Sequence, residues 1–183
     1  TEVTLTLRRE ERKGEPIEIV KTLKRAQIKV ENVVLKQFGE FAYIKLGEFE
    51  DGAANRINEV YSALSNVKGL VLDLRGNPGG LLHEANKVSA LFLDPNKLIE
   101  RITQRHGEEE YFSRHYVLGP DRIKTPLVVL VDAASASGSE IVAAAIQDHK
   151  RGAIIGMPTF GKALVQTRYG YARGDPWSEI LNG

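Results

Sequence analysis

Residues 69–80 read Gly-Leu-Val-Leu-Asp-Leu-Arg-Gly-Asn-Pro-Gly-Gly, and this stretch decides the fold class. Its first six residues form a short, nearly continuous apolar run, which is typical of a strand buried on both faces of a sheet covered by helices. The glycine-rich loop then leads into a segment whose apolar residues keep helical spacing, namely Leu81, Ala85, Val88 and Phe92. The stretch therefore predicts one strand–loop–helix unit of a mainly parallel α/β sheet.

The same kind of unit recurs on both sides of this stretch. Downstream, Leu127–Val131 is wholly apolar, small residues and a predicted helix over about 137–149 follow it, and Ala153–Gly156 is a third apolar segment. Upstream, the pattern predicts strands at Val33–Phe38 and Phe41–Leu46. A helix should follow them, because its apolar residues recur at helical spacing, namely Ile57, Val60, Tyr61 and Leu64. Strand, helix, strand, helix, strand is the βαβ pattern of a parallel core.

Two further segments alternate as strands do. Residues 1–9 place Val3, Leu5 and Leu7 on one face, and the alternation resumes at Ile17, which predicts a hairpin over the first ~25 residues. Residues 98–115 are more polar and predict a second hairpin, with its tip at His106-Gly107.

Composition limits the classes of function. The 183 residues are 42% hydrophobic, which suits one main domain with a buried core. The 25 basic residues nearly balance the 24 acidic ones, and no basic stripe indicates a nucleic-acid partner. Cysteine is absent, which excludes a thiol nucleophile, disulfides and cysteine-based zinc sites. The four histidines offer no paired metal-ligand spacing with acids beyond His106 and Glu108–Glu110, which a solvated hairpin tip explains better, so we expect no metal.

Two loops lie where ligands of parallel α/β folds bind, at the carboxyl ends of strands. The loop Arg75–Gly80 can bring backbone N–H groups against a ligand, and the segment Ala133–Glu140 places Ser137 at a helix start. Each has an ordinary explanation. The first is a glycine-rich turn, and Ser137 with Glu140 has the Ser-x-x-Glu spacing of a capping box, which for this loop alone is the favoured interpretation.

A lysine after the third apolar strand changes the balance. Partial desolvation of Lys162 among Phe160, Leu164 and Val165 would favour the neutral amine, and Ser–Lys pairs are a known variant of the catalytic triad. Gln166 follows four residues later and could orient this amine. The ordinary alternative is a surface lysine whose stem covers apolar groups.

These motifs, taken in order, resemble the carboxy-terminal processing proteases, also called tail-specific proteases. The resemblance covers residues 1–166 and rests on 69–80, on Pro126–Val131, on Ser135–Ile141 and on Thr159–Lys162. The separation 162 − 137 = 25 residues matches the family, so the resemblance selects Ser137 over Ser135 and Ser139. Ala134 stands where a glycine is usual, and the sequence after Gln166 leaves the family pattern.

The resemblance implies a ClpP/crotonase-like βαβ core preceded by a PDZ domain. Residues 1–25 would then be the C-terminal hairpin of that PDZ domain, 26–166 the protease core and 167–183 an unassigned tail. The implied reaction uses Ser137 as nucleophile, Lys162 as general base and Gln166 as its orienter, with an acyl-enzyme intermediate. Its oxyanion would be held by the N–H groups of Gly79 and Gly138.

The resemblance further implies an extracytoplasmic serine endopeptidase without cofactor, which acts on proteins with apolar C-termini. It is also compatible with a homo-oligomer. Two alternatives stay open at this point. A crotonase-like acyl-CoA enzyme would use two similar loop N–H groups without needing Ser137 and Lys162. A noncatalytic ligand-binding relative would tolerate the loss of Ser137.

Overall fold

The computed structural model describes residues 1–10, 16–26, 31–103, 110–114, 122–162 and 164–165. The chain divides into two compact units, Thr1–Glu31 and Asn32–Gly183.

The first unit is a two-stranded antiparallel sheet. Strand β1 (Glu2–Arg9) pairs with β2 (Ile17–Lys24) along its whole length, from Glu2 opposite Lys24 to Arg9 opposite Ile17. This confirms the predicted pairing, while the connection at 11–15 lies outside the described residues. Every described residue of the two strands is exposed or at most half-buried, so these described residues form no buried core.

The second unit is a mixed α/β structure with a mainly parallel sheet. Its elements in chain order are β3 (Val33–Phe38), β4 (Phe41–Leu46), α1 (Ala53–Ser62), β5 (Gly69–Asp73), α2 (Leu82–Ala90), β6 (Leu98–Thr103), β7 (Glu110–Arg114), β8 (Leu127–Val131), α3 (Gly138–Asp148) and β9 (Gly152–Gly156). Five strands form one sheet in the order β3-β4-β5-β8-β9. Only the β3–β4 pair is antiparallel, and the other three pairings in this sheet are parallel. The predicted α/β class with a mainly parallel sheet is therefore confirmed.

The central strands and the helices share one apolar core. Leu72 of β5, Val129 of β8 and Ile146 of α3 are fully buried, as the continuous apolar runs of the sequence predict. Helix α1 is shorter than predicted, because it ends at Ser62 and Leu64 lies beyond it, partly buried against the core. The chain reverses there through Asn66, whose φ of 59° is incompatible with a continuing helix. None of the described helices is long and apolar enough to cross a membrane.

Strands β6 and β7 form the predicted second hairpin. They pair antiparallel, with an irregularity between Leu98 and Glu100. The predicted tip at His106-Gly107 lies outside the described residues.

Three loops meet at one edge of the five-stranded sheet because β5, β8 and β9 are parallel. We call residues 74–81 after β5 the glycine loop, residues 132–137 after β8 the serine loop and residues 157–162 after β9 the lysine loop. Topology alone therefore brings the three predicted site segments to the same carboxyl edge.

Candidate active site

The glycine loop and the serine loop are held together by a backbone carbonyl, that of Asn77, and by a side-chain carboxylate, that of Asp132. Asn77 is fully buried, and its backbone carbonyl accepts hydrogen bonds from the N–H of Ala136 (3.0 Å) and the hydroxyl of Ser139 (2.9 Å). From the other side, the Asp132 carboxylate accepts the N–H of Gly76 at 3.0 Å and also bonds backbone N–H groups of its own loop. These contacts hold both loops in fixed conformations.

Ser137 is held in a sparsely populated backbone conformation. Its φ of 54° and ψ of −111° lie outside the regions that residues with a side chain normally occupy. It immediately precedes α3 and is half-buried. The Glu140 carboxylate accepts the Ser137 N–H at 2.7 Å, as the predicted capping box requires. Such strain persists only where the surroundings enforce it, and it often marks a functional residue.

Gly79 lies directly against this serine. A Cβ atom at Gly79 would come within 2.7 Å of the Ser137 Cβ, closer than real contacts allow, and would lie 3.0 Å from the Gly138 nitrogen. Since Gly79 also has a φ of 106°, only glycine fits there. The approach brings the backbone of the glycine loop beside the serine and the first turn of α3.

The backbone donors at this edge differ in their availability. The N–H of Gly79 donates to the side-chain oxygen of Asn77 at 2.9 Å, so it is engaged in this structure. Among the described residues no acceptor is recorded for the N–H groups of Gly80 and Gly138. Gly138, one of the two predicted donors, therefore has an N–H group without a recorded acceptor in the described part of the chain. The same holds for Gly80, which was not among the predicted donors.

Lys162 is half-buried at the end of the lysine loop. Its backbone N–H donates to Glu140 at 2.9 Å. The apolar neighbours that were expected to desolvate its amine do not enclose it, because Phe160, Leu164 and Val165 are 67%, 74% and 53% exposed. In the described part of the chain, these three side chains therefore do not form the expected apolar enclosure.

Glu140 makes more contacts than its predicted role as a helix cap requires. Its two carboxylate oxygens accept four hydrogen bonds, from the N–H groups of Ser137, Gly161 and Lys162 and from the hydroxyl of Thr159. Burial alone would raise the pKa of Glu140, but these bonds outweigh it and the pKa lies below its ordinary value. The Ser-x-x-Glu spacing was the available signal, and it was interpreted as a cap only.

The structure thus brings some predicted site residues together. Ser137 and Lys162 donate their backbone N–H groups to the same oxygen of Glu140, and Gly79 touches Ser137. No hydrogen bond between the Ser137 hydroxyl and the Lys162 amine is recorded among the described residues. Gln166 lies outside the described residues.

An ion pair supports the base of the glycine loop. The Asp73 carboxylate at the end of β5 is fully buried and accepts bonds from the backbone and guanidinium of Arg75 and from the hydroxyl of Tyr43. Burial would raise the pKa of Asp73, but the bonds from Arg75 and Tyr43 outweigh it and lower the pKa to about 2.

One group of described side chains could in principle hold a metal ion. The ligand atoms of Asp51, His83 and Glu84 lie within 4.8 Å of one another. However, the buried Glu84 already accepts the ammonium of Lys87 at 2.7 Å and the N–H of Ala54 at 3.1 Å. A divalent ion would have to displace that cation, so the group fits an ion pair better than a metal centre.

The described part of the chain contains a cavity of about 290 Å³, which lies away from this site. Lys124 and Arg151, which line it, precede β8 and β9, so it opens at the amino edge of the sheet, opposite Ser137. The guanidinium of Arg151 donates there to the carbonyls of Phe92, Ile123 and Thr125. The cavity takes no part in the arrangement of the three loops.

Comparison with known proteins identifies close matches. The family described as "Peptidase family S41" matches residues 40–177. The carboxy-terminal-processing protease of Bartonella bacilliformis is 37% identical over 174 residues, 91% of this chain and 39% of that protein. The carboxyl-terminal-processing protease of Synechocystis is 40% identical over 137 residues, 72% of this chain and 30% of that protein. CtpA of Bacillus subtilis is 35% identical over 156 residues, 84% of this chain and 33% of that protein.

Solved structures of other proteins are also similar in fold to this chain. The photosystem II D1 C-terminal processing protease superposes with a TM-score of 0.64 at 30% identity, covering 82% of this chain and 42% of that one. Mature CPAF, at 12% identity, has a TM-score of 0.53 over 88% of this chain and 54% of that one, which concerns the fold alone. The chain spans 30–39% of the length of the three curated relatives.

Proposed function

The chain belongs to peptidase family S41, and on that premise we propose that it forms the proteolytic core of a serine endopeptidase that recognises proteins by their C-terminal tails. One observation carries the proposal. The strained Ser137 and the backbone of Lys162 are bonded to one carboxylate, beside the Gly79 backbone and the unoccupied Gly138 N–H. A catalytic serine needs a base that removes the proton of its hydroxyl and backbone N–H groups that hold the oxyanion.

The proposed reaction proceeds through an acyl-enzyme. The neutral amine of Lys162 removes the proton of the Ser137 hydroxyl as its oxygen attacks the peptide carbonyl. The C–N bond then breaks, the leaving amine takes the proton from Lys162, and the acyl group stays on Ser137. Water, deprotonated by Lys162, hydrolyses this ester and restores the serine. Gln166 is proposed to orient the lysine amine.

Backbone N–H groups are proposed to stabilise the oxyanion. Gly138 is one donor, and its N–H is unoccupied among the described residues. The glycine loop supplies the other, either from Gly79 after release of Asn77 or from Gly80, whose N–H has no recorded acceptor there. Loss of one such donor usually lowers turnover by about 10²–10³.

The finer domain assignment and the surroundings of the enzyme belong to the same proposal. We assign residues 1–25 to the end of a PDZ domain and 26–166 to a ClpP/crotonase-like core, and leave 167–183 unassigned. The antiparallel β1–β2 pair supports the first assignment. Substrates with apolar C-termini, an extracytoplasmic location and a homo-oligomeric state are proposed from the family alone.

The test compares variants of the full-length protein. An unfolded substrate with an apolar C-terminus is incubated with wild type, Ser137→Ala and Lys162→Ala, and cleavage is followed by mass spectrometry. Removing a member of such a catalytic unit typically costs about 10⁴–10⁶ in turnover, so both variants should be nearly inactive. Ser62→Ala and Lys36→Ala, which alter exposed side chains of the same types, should cleave like wild type.

The alternatives give different results in the same set of variants. Equal cleavage by all five proteins would rule out the proposed Ser–Lys pair. Acyl-CoA thioester turnover that survives Lys162→Ala would instead indicate a crotonase-like enzyme. Tail-peptide binding without cleavage, retained in Ser137→Ala, would indicate a noncatalytic relative.

A further inference from the structure

The carboxylate of Glu140 makes more hydrogen bonds than a helix cap requires. In a capping box the acidic side chain accepts one N–H, that of the N-cap residue, here Ser137. The other three donors of Glu140 all lie on the lysine loop: the Thr159 hydroxyl at 2.9 Å, the Gly161 N–H at 2.6 Å and the Lys162 N–H at 2.9 Å. Most of this carboxylate's bonding capacity is therefore used outside α3.

The last residues of the lysine loop depend on this carboxylate. Met157 still continues the sheet by donating to Val131 at 3.2 Å, and Phe160 donates to Ser135 at 3.0 Å. Beyond Phe160 the recorded backbone bonds of the described chain end on Glu140 alone. Gly161 has a φ of 86° and open space around its Cα, so packing does not fix its conformation.

The same carboxylate reaches the serine at the other side of the site. One oxygen accepts both the Ser137 N–H at 2.7 Å and the Lys162 N–H at 2.9 Å. The two backbones are thus bonded to one atom, which sets their separation. Charge-assisted bonds of this kind are shorter and stronger than neutral ones, so the link is stiff.

We propose that Glu140 is a positioning residue that fixes Lys162 relative to Ser137 through this shared oxygen, a role that rests on the proposed Ser–Lys reaction. Glu140 does not touch substrate in this role. It acts by holding the lysine loop in register, and displacement of a reacting group by about 1 Å can lower a rate by about 10².

Glu140→Gln tests the proposal with little change in shape. The amide keeps one acceptor oxygen, but it turns the other acceptor into an NH₂ donor that faces two N–H or O–H donors. The matched control is Glu84→Gln. Glu84 is a buried carboxylate that also accepts a backbone N–H, that of Ala54, but its recorded partners lie in neither the serine loop nor the lysine loop. The reactivity of Ser137 is measured as the second-order rate of labelling by a fluorophosphonate, and stability by urea unfolding, both on the full-length protein.

We expect Glu140→Gln to lower the labelling rate by about 10², and Glu84→Gln to label like wild type even where both lose similar stability. The Lys162→Ala variant is labelled for hours at alkaline pH, where hydroxide replaces the lysine as base. In this variant, adding Glu140→Gln should not lower the labelling rate further. Such non-additivity is expected of residues that act as a unit.

Each contrary outcome points to a different failure. A wild-type protein that is not labelled, or a Lys162→Ala variant that is labelled at the wild-type rate, overturns the proposed Ser–Lys reaction. A labelled wild type with Glu140→Gln at an equal rate overturns the positioning role alone. An equal loss with and without Lys162 also overturns it, because Glu140 would then support the fold and not the lysine.

Discussion

At the scale of single residues, the backbone of Ser137 has an unusual conformation. Four described residues other than glycine have positive φ, and Ser137 is one of them. It combines its φ of 54° with a ψ of −111°, whereas the left-handed helical region requires a positive ψ. A residue held in this way costs roughly 1–3 kcal/mol, which the bonds to Glu140 and the packing of the glycine loop must offset.

Replacing Ser137 by glycine should release this strain. We expect Ser137→Gly to be more stable than Ser137→Ala by roughly 1 kcal/mol, because alanine retains the steric conflict and glycine does not. Both variants lack the hydroxyl, so the comparison isolates the backbone. The free energies of unfolding in urea give the difference.

A second glycine substitution is the control, because glycine is expected to lower the free energy of unfolding at an ordinary helical position. Ala144→Gly, at an exposed site within α3, should lower stability by about 1 kcal/mol in the Ser137→Ala background, because its backbone is helical. If Ser137→Gly proves as destabilising as Ala144→Gly, then the positive φ of Ser137 carries no strain.

A buried carboxylate, that of Asp73, connects two neighbouring strands of the sheet with the glycine loop. Asp73 ends β5 and binds Tyr43 of β4 and Arg75 of the glycine loop. Its pKa is lowered to about 2 in the folded protein, below its value of 3.8 when unperturbed. A group with a depressed folded pKa contributes stability above its unfolded pKa, and that contribution is lost as the pH falls through the folded pKa.

We therefore expect Asp73→Asn to cost about 2 kcal/mol of unfolding free energy at pH 7, and progressively less between pH 4 and pH 2. Urea unfolding of both proteins at a series of pH values measures this. Glu40→Gln is the control, since Glu40 pairs with Lys68 at 2.8 Å with both side chains more than half exposed, and such pairs contribute at most about 1 kcal/mol. A cost for Asp73→Asn that does not change with pH would contradict the coupling.

The regular elements could be predicted because their apolar patterns are strong. Strands β3 and β4 have the predicted bounds, Val33–Phe38 and Phe41–Leu46, and the continuous run at Leu127–Val131 gives β8. The end of α1 was wrong, because Leu64 keeps helical spacing after the helix has ended at Ser62. Spacing does not distinguish an apolar residue in a following turn from one in the helix.

Contacts within the site were harder to predict, because they join segments that are distant in sequence. The spacing of Ser137 and Glu140 indicated a cap, but nothing local indicates that Thr159, Gly161 and Lys162 reach the same carboxylate. The engagement of the Gly79 N–H by Asn77 is likewise a tertiary result. Side-chain bonds to loop backbones follow the fold and have no periodic pattern of their own.

At the scale of the whole molecule, stability is expected to differ between the two units. Strands β5 and β8 are internal to the five-stranded sheet, and Leu72 and Val129 within them are fully buried. Among the described residues of the other unit, β1 and β2 pair only with each other, and large apolar side chains such as Leu7 and Val20 are 50% and 63% exposed. A two-stranded hairpin without a core is marginally stable in water.

Native-state hydrogen exchange on the 183-residue chain by itself should separate the two units. We expect amides of β5 and β8 to exchange only by global unfolding, with a free energy of about 5–15 kcal/mol that falls with urea at the global slope. Hydrogen-bonded amides of β1 and β2 should exchange through local opening at a much lower free energy that hardly depends on urea. Mass spectrometry of peptides from both units measures this within one sample, so the core serves as internal control. If both units exchanged with the same free energy and the same urea slope, the molecule would unfold as one cooperative body, and the exposure of β1 and β2 would not determine their stability.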